Sequence, residues 1–296
     1  MTSSALKNRV YLFGTPGLFS YTVLSTLYEQ DVHVDRIYCA GPAPAEPVSR
    51  ALPVTPPPKP ESLTEFAKKL AIPIQYINKK SDLLSLEDSL PERPDFLLVA
   101  CFPFRLSSQI IKWPKTACLN IHPSLLPKYR GPEPIFWQLF NNEQQTGVSL
   151  HLMTHKFDAG PVVMQQAVPY GDGSHHHQIE ISLASAGAKL FVHLLETATP
   201  VDKLLKNQSM EEASYYPAAS QRDYYLHPQW SARQAFNFMR GTCPPDALFR
   251  IKINNKILIL VDAIDYECEG QVESGYKQDK EDLYIQFSPG ILHART

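Results

Sequence analysis

The run Phe96-Leu97-Leu98-Val99-Ala100 carries no polar side chain on either face. Successive residues of an extended chain point to opposite sides, so this run must be covered on both. That is the position of a central strand in a parallel sheet packed between helices. The sequence before it alternates in the matching way. Residues 9–13 read as a buried strand, Gly14-Thr15-Pro16-Gly17 as a turn, and 18–28 as an amphipathic helix. Further strands are expected at 34–39 and 74–77. Between them lies a short helix that Ser62 and Glu65 open with capping-box spacing. After the apolar run come a strand over 117–121, a helix over 134–141, a pair of strands over 148–153 and 162–168, and a long helix over 180–195. The fold class is therefore α/β, with a Rossmann-like parallel sheet.

Two stretches interrupt this alternation. Residues 41–60 are crowded with prolines, which exclude a regular helix or a central strand, and the stretch reads as a surface loop. A polar connection over 197–228, containing Pro200 and Pro217, leads into a smaller unit. That unit has a helix over 232–240 and short strands over 248–253, 257–262 and 283–287, with turn signals at Asn254-Asn255 and Ser288-Pro289-Gly290. The expected division is a catalytic domain over 1–198, a linker over 199–228 and a small C-terminal domain over 229–296.

Composition narrows the function classes. The formal net charge of −2 disfavours a polyanionic partner without excluding a local basic patch. The five cysteines, Cys39, Cys101, Cys118, Cys243 and Cys268, are scattered and form no Cys-x-x-Cys pair, which fits reduced thiols in a cytosol better than disulfides or a zinc site. The opening residues lack the apolar core of a signal peptide, and no later run is long enough to span a bilayer, so a cytoplasmic protein without a membrane partner is expected. His175-His176-His177 does not read as a metal site, because adjacent side chains on one element do not converge on one ion; it reads as a solvated helix start. No metal is expected.

The chemistry concentrates between Cys118 and Met164. Asn120 and His122 stand two apart at the end of an apolar strand and so point the same way. Pro123 biases His122 to an extended conformation and cannot donate to a continuing ladder, so the strand should stop as the pair reaches the edge where open α/β sheets bind ligands. Phe157-Asp158-Ala159-Gly160 offers a carboxylate on a later loop. Singly, an Asn at a strand end is more often a turn residue, a lone His a satisfied buried group, and an Asp before Ala-Gly an Asx-turn. As one ordered set, Asn120, His122 and Asp158 read as a catalytic group.

The string Asn120-Ile121-His122-Pro123-Ser124-Leu125-Leu126-Pro127-Lys128-Tyr129-Arg130-Gly131, followed by Thr146-Gly147-Val148 and Asp158-Ala159-Gly160, resembles the signature of the folate-dependent formyltransferases. The similarity runs from about residue 9 to the C-terminus. It implies transfer of a formyl group from 10-formyltetrahydrofolate, as co-substrate, to a primary amine, on a Rossmann-like formyltransferase domain followed by a small β-barrel (OB-like) domain. It implies Asn120, His122 and Asp158 as the catalytic residues. It also places Cys101, Phe102, Phe104 and Leu106 where the family holds the pterin ring, with Ser124, Leu125, Leu126 and Pro127 as a loop bordering the folate. For Phe102 and Phe104, plain packing under a loop is the alternative.

Two acceptors fit. Gly14-Thr15-Pro16, the Ser124–Pro127 loop and the barrel-like tail resemble the methionyl-tRNA formyltransferases. Those enzymes carry a basic loop where this chain has only Arg50 and Lys59 between residues 41 and 60. Pro134-Ile135-Phe136-Trp137 and Thr146-Gly147-Val148-Ser149-Leu150-His151 look more like the enzymes that formylate amino-sugar nucleotides, although Trp137 also reads as plain core, the commoner fate of an aromatic on a helix. A folate- or nucleotide-binding module without catalysis is the reading from another class, and the intact Asn120, His122 and Asp158 argue against it.

Overall fold

A computed structural model of the chain describes residues 8–42, 61–197, 199–242 and 248–296. The proline-rich stretch from residue 43 to residue 60, with Arg50 and Lys59, lies outside the described residues, as does Cys243. Two compact units share the chain. The first comprises Met1–Arg130, Gly147–Gln166 and Ile181–Ala213, and the second Gly131–Thr146, Ala167–Glu180 and Ser214–Thr296.

A seven-stranded sheet builds the first unit from β1 (Val10–Gly14), β2 (Val34–Ala40), β3 (Ile74–Ile77), β4 (Phe96–Ala100), β5 (Ala117–His122), β6 (Thr146–Leu152) and β7 (Val162–Val168). Their order is β3-β2-β1-β4-β5-β6-β7. The pairs β2/β3, β1/β2, β1/β4 and β4/β5 are parallel, whereas β5 and β6 run antiparallel. Every residue of β1 and β4 is buried, as the two-sided apolar runs require. The helices of this part are α1 (Leu18–Glu29), α2 (Leu63–Lys69), α3 (Lys80–Asp88) and α4 (Ser108–Ile111). At the start of α2 the capping box forms: the Glu65 amide donates to Ser62 Oγ at 3.3 Å, and the Ser62 amide donates to Glu65 Oε2 at 2.9 Å.

On one side Phe13, Tyr38, Leu97, Val99 and Trp113 form a core with Leu83 and Leu86 of α3. Burial pushes the Cys39 thiol up to about 11 and raises that of Cys118 as well, so both are inert protonated packing groups at neutral pH. On the other side lies the long helix α6 (His176–Glu196), preceded in the chain by α5 (Pro134–Phe140). Gly187 of α6 sits so close to the sheet that a Cβ there would lie 2.3 Å from Ile121 Cγ2 and 3.0 Å from Val148 Cγ2. Ile121 is the residue between Asn120 and His122, so this contact seats the strand that carries both. Gly187→Ala is expected to destabilise the protein by about 1–3 kcal/mol despite alanine's better helix propensity, a loss to be read in urea unfolding midpoints. The chain then makes one turn, α7 (Val201–Leu204).

The second unit holds α5, α8 (Ala232–Gly241) and the strands β8 (Tyr225–Leu226), β9 (Phe249–Ile253), β10 (Lys256–Leu260), β11 (Asp262–Glu267), β12 (Tyr276–Asp279), β13 (Asp282–Gln286) and β14 (Ile291–Arg295). These strands form a three-stranded sheet, β10-β9-β8, and a four-stranded antiparallel sheet, β11-β14-β13-β12. Asn254 and Asn255, with φ of 48° and 64°, make the two-residue hairpin between β9 and β10. Asparagine tolerates this left-handed backbone, which the right-handed twist of the flanking strands favours. The core is aromatic. Phe238 is fully buried, with ring centroids of Trp230 and Phe136 at 5.2 and 5.3 Å. Trp137 stacks on Tyr216 at 5.0 Å and donates its indole N–H to the Pro217 carbonyl at 2.8 Å, which makes it a packing residue with a satisfied polar edge. Among the described residues no helix is long and apolar enough to cross a membrane.

Candidate active site

The end of β5 carries Asn120, half-buried, and His122, 4% exposed. The strand stops at His122, immediately before Pro123. Opposite Asn120 in the antiparallel register stands His151 of β6, and Ser149 stands opposite His122. Asp158 arrives on the loop between β6 and β7 in a left-handed conformation, φ 50°, which aspartate adopts more readily than most residues. Gly160 closes this loop against β6. A Cβ there would lie 1.9 Å from the Leu152 carbonyl oxygen, so any side chain would push the loop outward.

These side chains form one cluster. Asn120 Nδ2 lies 3.0 Å from His151 Nε2, His122 Nδ1 lies 3.6 Å from Asp158 Oδ1, and His151 Nε2 lies 3.8 Å from the same oxygen. The two imidazole rings stand edge to face at 6.3 Å. The tautomers follow from their neighbours. His151 Nδ1 faces the Leu152 carbonyl at 2.9 Å and must donate to it, so Nε2 is a lone pair and accepts from the Asn120 amide. Burial holds the His151 imidazole well below the ordinary histidine range and outweighs the upward pull of the Asp158 carboxylate, which keeps the ring neutral as this arrangement requires. His122 Nε2 faces the Tyr129 carbonyl at 2.8 Å and donates there, which leaves Nδ1 as the nitrogen toward Asp158.

The loop after His122 is pinned from β6 and β7. Ser149 Oγ donates to the Ser124 carbonyl at 2.6 Å and accepts from the Leu126 amide at 3.0 Å. Gln165 Nε2 donates to both Ser149 Oγ and the Leu126 carbonyl, at 2.8 and 2.7 Å. Ser124 is buried and its hydroxyl donates to the Lys128 carbonyl, so it shapes the loop from inside. Leu126 is buried, whereas Leu125 and Pro127 are half-exposed.

Because Ala100 pairs with Ile121, the residues after β4 emerge beside His122. Cys101 is exposed, with φ 58°. Phe102 and Phe104 are half-buried and in edge contact at 5.7 Å, with Phe102 also against Phe13 at 5.1 Å. Leu106 lies inside the core, 3% exposed. Phe157 stands 54% exposed next to Asp158, with the Arg105 guanidinium 6.0 Å from its ring centre. Among the described residues no group of three or more His, Cys, Asp and Glu side chains is arranged to hold a metal ion.

Residues 36–195, more than half of the 296-residue chain, match the family model described as formyl transferase. The chain belongs to the formyl transferase family. It is 30% identical over 236 residues to a methionyl-tRNA formyltransferase of Halalkalibacterium halodurans, covering 80% of this chain and 72% of that one. It is 27% identical over 293 residues to the methionyl-tRNA formyltransferase of Thermodesulfovibrio yellowstonii, covering 97% and 90%. In fold it is similar to a sugar 3N-formyl transferase solved in the presence of dTDP and 5-N-formyl-THF, with a TM-score of 0.65 at 16% identity over 98% of this chain and 97% of the other. His151 belongs to the side-chain cluster too, although the sequence pattern gave it no site role. It lies within Thr146–Leu152, but only the β5/β6 register sets it against Asn120.

Proposed function

We propose that this formyltransferase moves the formyl group of 10-formyltetrahydrofolate to the α-amine of methionyl-tRNA. The observation carrying the reading is the convergence of Asn120, His122 and Asp158 at the end of β5, in a family member with methionyl-tRNA formyltransferase relatives at about 30% identity. The amine nitrogen attacks the formyl carbon, the bond from that carbon to the folate nitrogen breaks, and one proton passes from the amine to the departing nitrogen. Negative charge builds on the formyl oxygen meanwhile. Asn120 donates the amide N–H that His151 leaves unused to that oxygen. His122, whose Nε2 is held by the Tyr129 carbonyl, is a second donor through Nδ1 when that nitrogen carries a proton, and Asp158 orients the imidazole and takes the proton of the attacking amine, directly or through water. The pterin lies against Cys101, Phe102 and Phe104, with Leu106 backing them from the core, and along the loop Ser124–Pro127, where Leu125 and Pro127 are accessible and buried Ser124 and Leu126 hold the loop's shape; the half-buried phenyl rings suit a flat heteroaromatic ring. Residues 1–198 carry the catalytic work, 199–228 link, and 229–296 form the accessory domain.

The scarcity of positive charge between residues 41 and 60 favours a second reading, in which the acceptor is an amino-sugar nucleotide. Salt separates the two. With about three phosphate contacts, KM for methionyl-tRNA should rise on the order of tenfold or more between 50 and 200 mM salt as counterions are released, whereas a sugar nucleotide responds weakly. The test is an acceptor screen with 10-formyltetrahydrofolate, reading tetrahydrofolate release. Turnover with methionyl-tRNA and its steep salt dependence support the main reading. Turnover with the amino-sugar nucleotide alone replaces it.

A further inference from the structure

Gln208, on the chain beyond α7, reaches back to the loop that carries Asp158. Its Nε2 donates to the carbonyls of Asp158 and Gly160, at 2.7 Å each. Its Oε1 accepts from Arg130 Nε at 3.1 Å and from Arg130 Nη2 at 2.7 Å. Chemistry fixes which way the amide faces: arginine only donates, so the oxygen must turn to Arg130 and both amide hydrogens must turn to the carbonyls. Arg130 is 7% exposed, so the clamp is held from inside the protein. The backbone beside it is tied as well, because Val162 and Lys206 exchange two hydrogen bonds of 2.8 Å as an isolated bridge.

We propose that Gln208, oriented by Arg130, is a positioning residue that holds Asp158 at its working distance from His122. The inference rests on the catalytic reading of Asp158 given above. The carboxylate sits on a left-handed residue within the nine-residue loop 153–161, a backbone that its surroundings help to hold. Two charge-oriented hydrogen bonds to the carbonyls on either side of Ala159 supply part of that hold. Without them the loop loses two of its ties, and the 3.6 Å approach of Oδ1 to His122 Nδ1 loosens while the side chains that touch substrate remain.

The test compares Gln208→Met, similar in length and unable to hydrogen-bond the carbonyls, and Gln208→Glu, which turns carboxylate oxygens toward them, with Asp158→Asn in the full chain. Steady-state formyl transfer is followed over pH, with a melting curve for each variant. Both Gln208 variants should lose kcat on the order of 10–10²-fold, as about 1 Å of misplacement would cause. Folate KM should stay within about twofold, and the acid limb of the kcat/KM profile should move away from that of the parent. If Asp158→Asn is inactive while Gln208→Met keeps the kcat and pH profile of the parent, the positioning role alone falls. A loss in Gln208→Met that appears in folate KM and melting temperature, with an unmoved pH profile, overturns it also, since that is a purely structural role. If Asp158→Asn turns over normally, the catalytic reading fails and takes this inference with it.

Discussion

Replacing Asn120 with alanine is expected to lower kcat by about 10²–10³-fold, the usual effect of deleting one preorganised donor to a developing oxyanion. The structure fixes the orientation of this amide. One amide hydrogen of Asn120 is committed to the lone pair of His151, which burial keeps neutral, so the carboxamide cannot turn to suit a substrate. The second hydrogen has a fixed direction before the acceptor arrives, and no reorganisation is needed as charge develops. The folate dissociation constant should change little, whereas the melting temperature should fall modestly, because the buried His151 lone pair loses its donor at a cost of about 1 kcal/mol. Tetrahydrofolate release under saturating substrates measures the first quantity. A kcat within threefold of the parent would remove Asn120 from the chemistry.

Replacing His122 with alanine should cost more, about 10²–10⁴-fold in kcat, because a positioned acid–base group and an oxygen donor disappear together. It should also destabilise the fold by about 1 kcal/mol, since the buried Tyr129 carbonyl loses the 2.8 Å donor at Nε2. His122→Gln separates the two effects. Its amide nitrogen reaches about as far as Nε2 and restores the donor to Tyr129, but it presents no titratable nitrogen toward Asp158. Stability should return in this variant while turnover stays low. A glutamine that restores both would show that His122 acts only by shaping the 123–130 loop.

Much of the scaffold was readable because its signals are local. The two-sided apolar runs of β1 and β4, the proline after His122 and the Ser62–Glu65 box each state their role within a few residues, and the strands and cap appear where expected. Helix α6 starts at His176 rather than near residue 180, so the histidine run stands at its beginning, but it is not the solvated start expected: His175 and His176 are half-buried against the Arg240 guanidinium and the Gly241 carbonyl. Helix α3 gave no such signal, because only Leu83 and Leu86 of its nine residues are buried. In the site, Asn120 and His122 were legible through the two-residue period of a strand. His151 and Gln208 were not. The first needs the β5/β6 register, and the second lies 50 residues from Asp158 and 78 from Arg130 in sequence, beyond the reach of any local pattern.

The tie between Lys206 and Val162, with Gln208 just past it, bears on where the chain can be shortened. During synthesis the Asp158 loop leaves the ribosome well before its clamp, so this corner of the sheet cannot reach its final geometry until residue 208 has emerged. A polypeptide ending at 198 would keep every side chain of the cluster and the sequence of all seven strands, yet lack the two hydrogen bonds that Gln208 gives the loop. One ending just beyond 210 would keep them.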